Sequence, residues 1–477
     1  MTRSIKLMAI TSLVILLAFA TSGLAQVSLP GAPHTITKTV QSTSLHMPNA
    51  PGTLFIPKSS VPQNPPAGHK FAAHTNVQVF VPSGVSPDEY PPFPGYGFET
   101  PASAACHYGL VSTTAAPNCN PNATNVNPSG GSQSIAIVDA YDDPSAPGDL
   151  AWFSVQFGIP LELSEFQVVW ANPAASSCPV NLGYGVPTDF SGGWEIEESL
   201  DIEWAHAMSP EAKLYLVEAC SNYDFDLQQA VLVANNLVQC GQSGINPTTG
   251  ALTKCTGTGK GEVSMSWGGM EFAGENGSTA CATLDDSCFT APGVVYFASS
   301  GDGPGVIWPG SSPKVVSAGG TTNRRSPSTF NFIQEAAWVD GGGGLSAIEA
   351  KPSFQNVVIP LKAINFRAVP DLSFDSDPHT GVYVYDTFPI SGLNYYEWLV
   401  VGGTSAASPS LAGIVNRAGG FAASSNAELT TIYNNRLTTS DFTDVAAGFC
   451  GFYMGFSAVT GWDYCTGVGV DKGYVGK

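Results

Sequence analysis

The sequence predicts an α/β protein with a mainly parallel central sheet flanked by helices. Three observations predict it. From about Cys106 onward, short apolar runs of strand length alternate with stretches of helical periodicity, the pattern of a parallel sheet with crossover helices. Residues 226–240 place Leu227, Ala230, Val231, Val233, Ala234 and Leu237 on one broad face, as a helix covering a sheet requires. The chain has 477 residues, 43% of them apolar, enough to bury one large core.

Taken in order, the chain opens on an export signal. Arg3 and Lys6 precede an apolar run at residues 7–20 that is short for a bilayer span, and Gly23-Leu24-Ala25 offers small residues for cleavage before Gln26. Residues 1–25 therefore read as a signal peptide, and the protein is expected outside the cell, free of the membrane. Residues 26–96 are rich in Pro, Ser, Thr and Gly, with only short apolar patches such as 77–81. This segment reads as a reduced prosegment or a linker without a packed core, and residues 97–477 as the main domain. Strands are expected at 134–138, 214–217, 263–267, 294–298 and 315–318. Glycine-dense loops at 301–310 and 341–344 suit functional surfaces.

Composition narrows the setting. Against 18 basic residues stand 38 acidic ones, a formal charge of −20, which argues against nucleic acid or an anionic membrane as partner. Carboxylates that lose charge in acid relieve this self-repulsion, so acid tolerance is expected. Ten cysteines without a C-x-x-C spacing read as disulfides in an oxidising compartment. Nearest-neighbour pairing gives 106–119, 178–220, 240–255, 281–288 and 450–465, although connectivity does not follow from sequence.

Two local patterns carry chemistry. Between Trp194 and Trp204 five acids occur without a Lys or Arg; on a helix, Glu197 and Asp201 lie one turn apart beside the row Ile196, Leu200 and Trp204. Such a run is commonly just a solvated face. In partial burial, however, paired carboxylates share a proton and shift upward in pKa, which suits proton transfer in acid. The second pattern is Gly402-Gly403-Thr404-Ser405-Ala406-Ala407-Ser408-Pro409, a serine at a small-residue turn entering an apolar helix.

That turn resembles the nucleophile element of the subtilisin superfamily, and the acidic helix resembles the E-x-x-L-D motif of the sedolisin family of serine-carboxyl peptidases. The resemblance runs from about Thr100 to the C-terminus and includes residues 212–216. It implies a subtilisin-like three-layer fold, with Ser405 as nucleophile, Glu197 as general base and Asp201 orienting it. By the same resemblance Asp302, in Gly301-Asp302-Gly303 after a strand, is a protonated oxyanion donor, and Asp139 is an acid bonded to the Glu-Asp pair. Ser266, Trp267 and Gly268 match the strand edge that binds substrate backbone. Asp444, Val445, Val459, Gly461 and Asp463 match a single calcium site of carboxylate and carbonyl oxygens. The connection between Asp302 and Pro309 is shorter than in better-known members, and the N-terminal segment is shorter than the family's folded propeptide.

The expected function is thus secreted, acid-active peptide-bond hydrolysis on polypeptide substrates, by a monomer holding one Ca2+. Removal of tripeptides from N-termini, or a non-cleaving peptidase-like binding scaffold, remain as alternatives. So does a histidine base, although His206 lies inside the acidic helix without the glycine and threonine that a subtilisin-type histidine has after it, and reads as a structural or surface residue.

Overall fold

The computed structural model describes residues 51–112, 117–183, 185–394, 397–451 and 455–477. The signal-peptide reading of residues 1–25, and residues 26–50 of the segment after it, lie outside the described residues. No helix among the described residues is long and apolar enough to cross a membrane.

A ten-stranded sheet forms the centre. The first strand of the sheet to form in sequence, Ser134–Ala140, is flanked by Lys213–Ala219 on one side and Gly261–Met265 on the other, both parallel to it. Phe166–Ala171 extends the first side, and Val294–Ser299, Val316–Arg325 and Leu372–Asp375 extend the second, all parallel. Strand order therefore reverses at Ser134–Ala140, the place where parallel α/β sheets open a crevice beyond the carboxyl ends of their strands.

Successive side chains of a strand face opposite ways, and the sequence uses this to fill two cores. Ile135 and Ile137 pack into one with Leu200 and Leu411, while Ala136 and Val138 pack into the other with Leu227 and Val231. The helices Glu195–Met208 and Thr404–Ala418 thus lie on one face and Asp224–Cys240 on the other, giving three layers. Each fully buried Leu or Ile in these layers contributes about 1.5–3 kcal/mol. This is the mainly parallel, subtilisin-like three-layer fold expected. The run expected at 315–318 is a longer strand, Val316–Arg325, whose later half pairs antiparallel with Phe332–Ala337. Its Arg325 is buried against Glu99, which also accepts from Ser103 Oγ at 2.5 Å, tying the 99–107 segment to the sheet. All five expected disulfides are present.

One expectation is corrected. Residues 51–96 are not a coreless linker: Gln78–Pro82 is an inner strand of a second sheet, antiparallel to Gly52–Phe55 on one side and to Trp398–Gly402 on the other. Phe71, Val77, Val79, Phe80, Phe93 and Tyr96 are buried. The Pro and Ser residues that hid this core sit between short strands, and although Gly52–Phe55 is a nearby partner of Gln78–Pro82, the strand on its other side, Trp398–Gly402, lies far along the chain.

Candidate active site

Strand Trp398–Gly402 runs into Gly403 and then the helix Thr404–Ala418. Gly403 has φ +107, and a Cβ there would overlap the carbonyl oxygen of Asn76 and approach Asp302 Oδ2, so only glycine fits. Ser405 follows in the first turn, fully buried. Pro409, four residues on, has no N–H to give the Ser405 carbonyl, and that carbonyl accepts instead from Ser266 Oγ at 3.2 Å. Ser266 Oγ also bonds Asp201 Oδ1 at 2.7 Å, so one hydroxyl links the nucleophile turn to the acidic helix.

The acidic helix, Glu195–Met208, is buried all round rather than solvated on its charged side. Glu197 and Asp201 are both fully buried, and among the described residues neither forms an ion pair with a cation. Burial, then the charges of Asp201 and Asp139, pushes Glu197 well above the usual carboxylate range; the nearby Ser405 hydroxyl pulls it partly back, although Ser405 Oγ donates to the Ser266 carbonyl and neither Glu197 oxygen holds a hydrogen bond. Asp201 is raised by burial and by Asp139, against its bond from Ser266. Asp139, near the end of its strand, makes no hydrogen bond with either oxygen and is raised by burial to about 8. Its influence on the pair is therefore electrostatic, not the hydrogen bond implied by the resemblance. Three carboxyls this close titrate jointly, holding fewer charges than acids between them.

Asp302 lies beyond the carboxyl end of strand Val294–Ser299. Its Oδ1 accepts from Thr404 N–H at 2.7 Å and Thr404 Oγ1 at 2.9 Å, while Oδ2 is enclosed without a partner. Burial raises this carboxyl to about 8, opposed by the Thr404 bonds, which favours its protonated form in acid. Ser266, Trp267 and Gly268 sit at the strand edge beside it, and the segment His74–Thr75 lies antiparallel along that edge.

The histidines have other partners. His206 is buried with its hydrogen bond to the Pro160 backbone, and burial lowers it to about 4, the structural alternative of the two expected. His107 pairs with Glu335 and His379 with Asp377.

No family model matches the sequence. Among characterised proteins it is 36% identical over 179 residues to sedolisin of a Pseudomonas species, covering 34% of this chain and 28% of that protein. It is 30% identical over 368 residues to kumamolisin of a Bacillus species, covering 71% and 58%, and 34% identical over 188 residues to xanthomonalisin of a Xanthomonas species, covering 34% and 20%. The chain belongs to the sedolisin family. It spans between about a fifth and three fifths of those relatives' own length. The fold agrees: a Pseudomonas sedolisin structure, complexed with two molecules of pseudo-iodotyrostatin, superposes with a TM-score of 0.57 at 23% identity, over 79% of this chain and 96% of that one.

In this sedolisin-family chain the residues at the C-terminal loop also come together. Asp444 Oδ2 accepts from Gly461 N–H and Asp463 Oδ2 from Val459 N–H, both at 3.0 Å, so both carboxylates are tied to one turn, with Cys450–Cys465 closing the loop. Burial raises Asp463 to about 6 against its backbone bonds. Two carboxylates and neighbouring carbonyls are a hard, all-oxygen donor set, which fits calcium. Among the described residues no group of three or more His, Cys, Asp or Glu forms a metal cluster, here or elsewhere.

Sequence reasoning missed Asn76. It donates its backbone N–H to Ser405 Oγ at 3.1 Å and accepts from Ser405 N–H at 3.2 Å. The available signal was the alternation Val77, Val79, Val81, which marks a strand and not a linker.

Proposed function

We propose that the protein is an exported, acid-active serine-carboxyl peptidase. The observation that carries this is the burial of Glu197 and Asp201 beside Ser405, with no ion-pair or histidine partner among the described residues, and of Asp302 with its Oδ2 enclosed near the same turn. Ser405 Oγ attacks the scissile carbonyl and passes its proton to Glu197, whose affinity for that proton is raised by the neighbouring Asp201. The tetrahedral oxyanion takes hydrogen bonds from Ser405 N–H and Asp302, and Glu197 returns the proton to the leaving amine. A water then repeats the sequence on the acyl-enzyme. Imidazole would be protonated in acid; a carboxyl pair sharing one proton still accepts.

Substrate backbone would add to the edge of Ser266–Gly268 as an antiparallel strand. The segment lying there continues past His74 to Phe71, seated among Trp267, Phe272 and Trp308, so the cleft takes more than three residues before the cut. That favours internal cleavage over tripeptide removal. Export is supported by the pattern of residues 1–25 and by five disulfides, and calcium at Asp444, Val445, Val459, Gly461 and Asp463 would brace the C-terminal loop. When bound, calcium supplies structural restraint and takes no part in the reaction.

Replacing Ser405 by Ala should abolish cleavage of denatured protein at about pH 4 with the thermal transition unchanged. Residual activity above about a thousandth of the parent, beyond that of a blank preparation, would remove Ser405 from its role.

A further inference from the structure

Two backbone walls flank the space beside Ser405. The ladder between the parallel strands Gly261–Met265 and Val294–Ser299 ends at Met265 and Ala298, after which one chain runs on as Ser266–Gly268 and the other as Ser299–Gly301. A residue whose carbonyl accepts from Ser405 N–H sends its side chain between them, as Asn76 shows. Its carbonyl takes that N–H at 3.2 Å, while its Nδ2 lies 2.6 Å from Ser299 Oγ and 3.5 Å from the Ser266 carbonyl. Ser299 is fully buried, and among the described residues Asn76 is the partner of its hydroxyl.

Two residues further along both walls, Ile307 fills the gap. A Cβ on Gly268 would lie 2.3 Å from Ile307 Cδ1, and a Cβ on Gly301 would lie 3.3 Å from Cδ1 and Cγ1, so this one side chain touches both walls. Neither the stopper nor the walls can move aside without breaking hydrogen bonds. Ile307 pairs with Met270, and its carbonyl accepts from Ser311 N–H at 2.9 Å. On the second wall Ser300 N–H donates to the Ala318 carbonyl at 2.8 Å, Ser300 Oγ to the Gly342 carbonyl at 3.0 Å, and Gly342 N–H to the Gly301 carbonyl at 2.7 Å.

We propose that Ser299 and Ile307 shape a short pocket for the side chain before the scissile bond, so that the enzyme cuts after asparagine and other small hydrogen-bonding residues and rejects aromatic and basic ones. This names the substrate class of the peptidase site above and rests on that reading. Size and polarity act separately. Ile307 leaves no depth for a phenylalanine ring or an arginine, and in a fixed pocket even one methylene changes kcat/KM by about 10–200-fold. A leucine, close to asparagine in size, reaches no further but leaves the buried Ser299 hydroxyl without a partner, a loss of about tenfold or more.

The full-length chain and its Ile307→Ala, Ser299→Ala and Ser405→Ala variants are assayed at about pH 4 on internally quenched peptides that differ only in the residue before the cut, Asn, Leu, Phe or Arg, with the cut located by mass. Expected for the parent is kcat/KM for Asn about tenfold or more above Leu and about a hundredfold or more above Phe and Arg. I307A should raise Phe relative to Asn by about tenfold or more, and S299A should bring the ratio of Asn to Leu close to one. Cleavage that S405A loses, but with Phe or Arg cut as well as Asn, or with the Phe to Asn ratio unmoved in I307A, overturns the pocket and leaves the peptidase reading standing. No cleavage of any of the four peptides or of a denatured protein overturns both.

Discussion

If Asp302 donates a proton-bearing oxygen to the oxyanion, its two substitutions should part company. Asp302→Ala removes the donor at Oδ2 and leaves Thr404 N–H and Oγ1 without their acceptor at 2.7 and 2.9 Å. Loss of one such donor costs a factor of about 10²–10³ in kcat, or about 2.7–4 kcal/mol. Asp302→Asn keeps an acceptor for Thr404 and replaces the protonated oxygen with an amide that donates at any pH. In the parent, a carboxyl raised to about 8 is mostly protonated at pH 7 and only about one-tenth protonated at pH 9. The ratio of Asp302→Asn to parent kcat/KM should therefore rise roughly tenfold between pH 7 and pH 9. Because both enzymes share the Glu197, Asp201 and Asp139 cluster, the ratio cancels its contribution to the profile. The assay is hydrolysis of an internally quenched peptide across pH 3–9. A flat ratio, or an Asp302→Ala enzyme within threefold of the parent at pH 4, would refute the reasoning.

Stability should follow the buried acids. Asp143, Asp139, Glu195 and Glu275 are raised by burial to about 6, 8, 9 and 9, so the folded state holds their protons more tightly than the unfolded chain. Their contribution is complete below the unfolded range near pH 4 and is lost as pH climbs through about 6 to 9; the thermal midpoint should be highest in acid, and a maximum at pH 8 would contradict this. Chelation tests the C-terminal loop: EGTA should lower the thermal midpoint by several degrees and calcium restore it, with Asp463→Asn abolishing the response. A midpoint insensitive to both would remove calcium from the loop.

What could be read in the sequence was local. Ser405 announces itself through a small-residue turn, Glu197 and Asp201 through their four-residue spacing, and Asp302 through the strand before it. Each pattern is complete within a dozen residues. The burial of Glu195, Glu198 and Glu203 could not be read the same way. The row Ile196, Leu200 and Trp204 marks one packed face of the helix, but Glu203 Oε2 accepts from Tyr385 N–H at 3.0 Å on another, and Glu198 lies beside Glu218. An amphipathic pattern presumes a polar face in water, and here that face is covered by segments far along the chain. Asn76 was hidden for the same reason, since its partners are residues 266, 299 and 405.

The acidic helix links two properties that look separate, the catalysis in acid proposed above and a fold expected to tolerate it. A helix exposed on one side would leave Glu197 with water to stabilise its charge, and the proton would be lost well below the range that burial imposes. Covering every face raises Glu197 and Asp201 together, but it also buries Glu195, Glu198 and Glu203, none of which touches Ser405. Those acids stay neutral only while solvent supplies protons. The cover that raises Glu197 and Asp201 therefore also ties the helix to low pH, so the proposed chemistry and the lower stability expected at neutral pH share one physical cause.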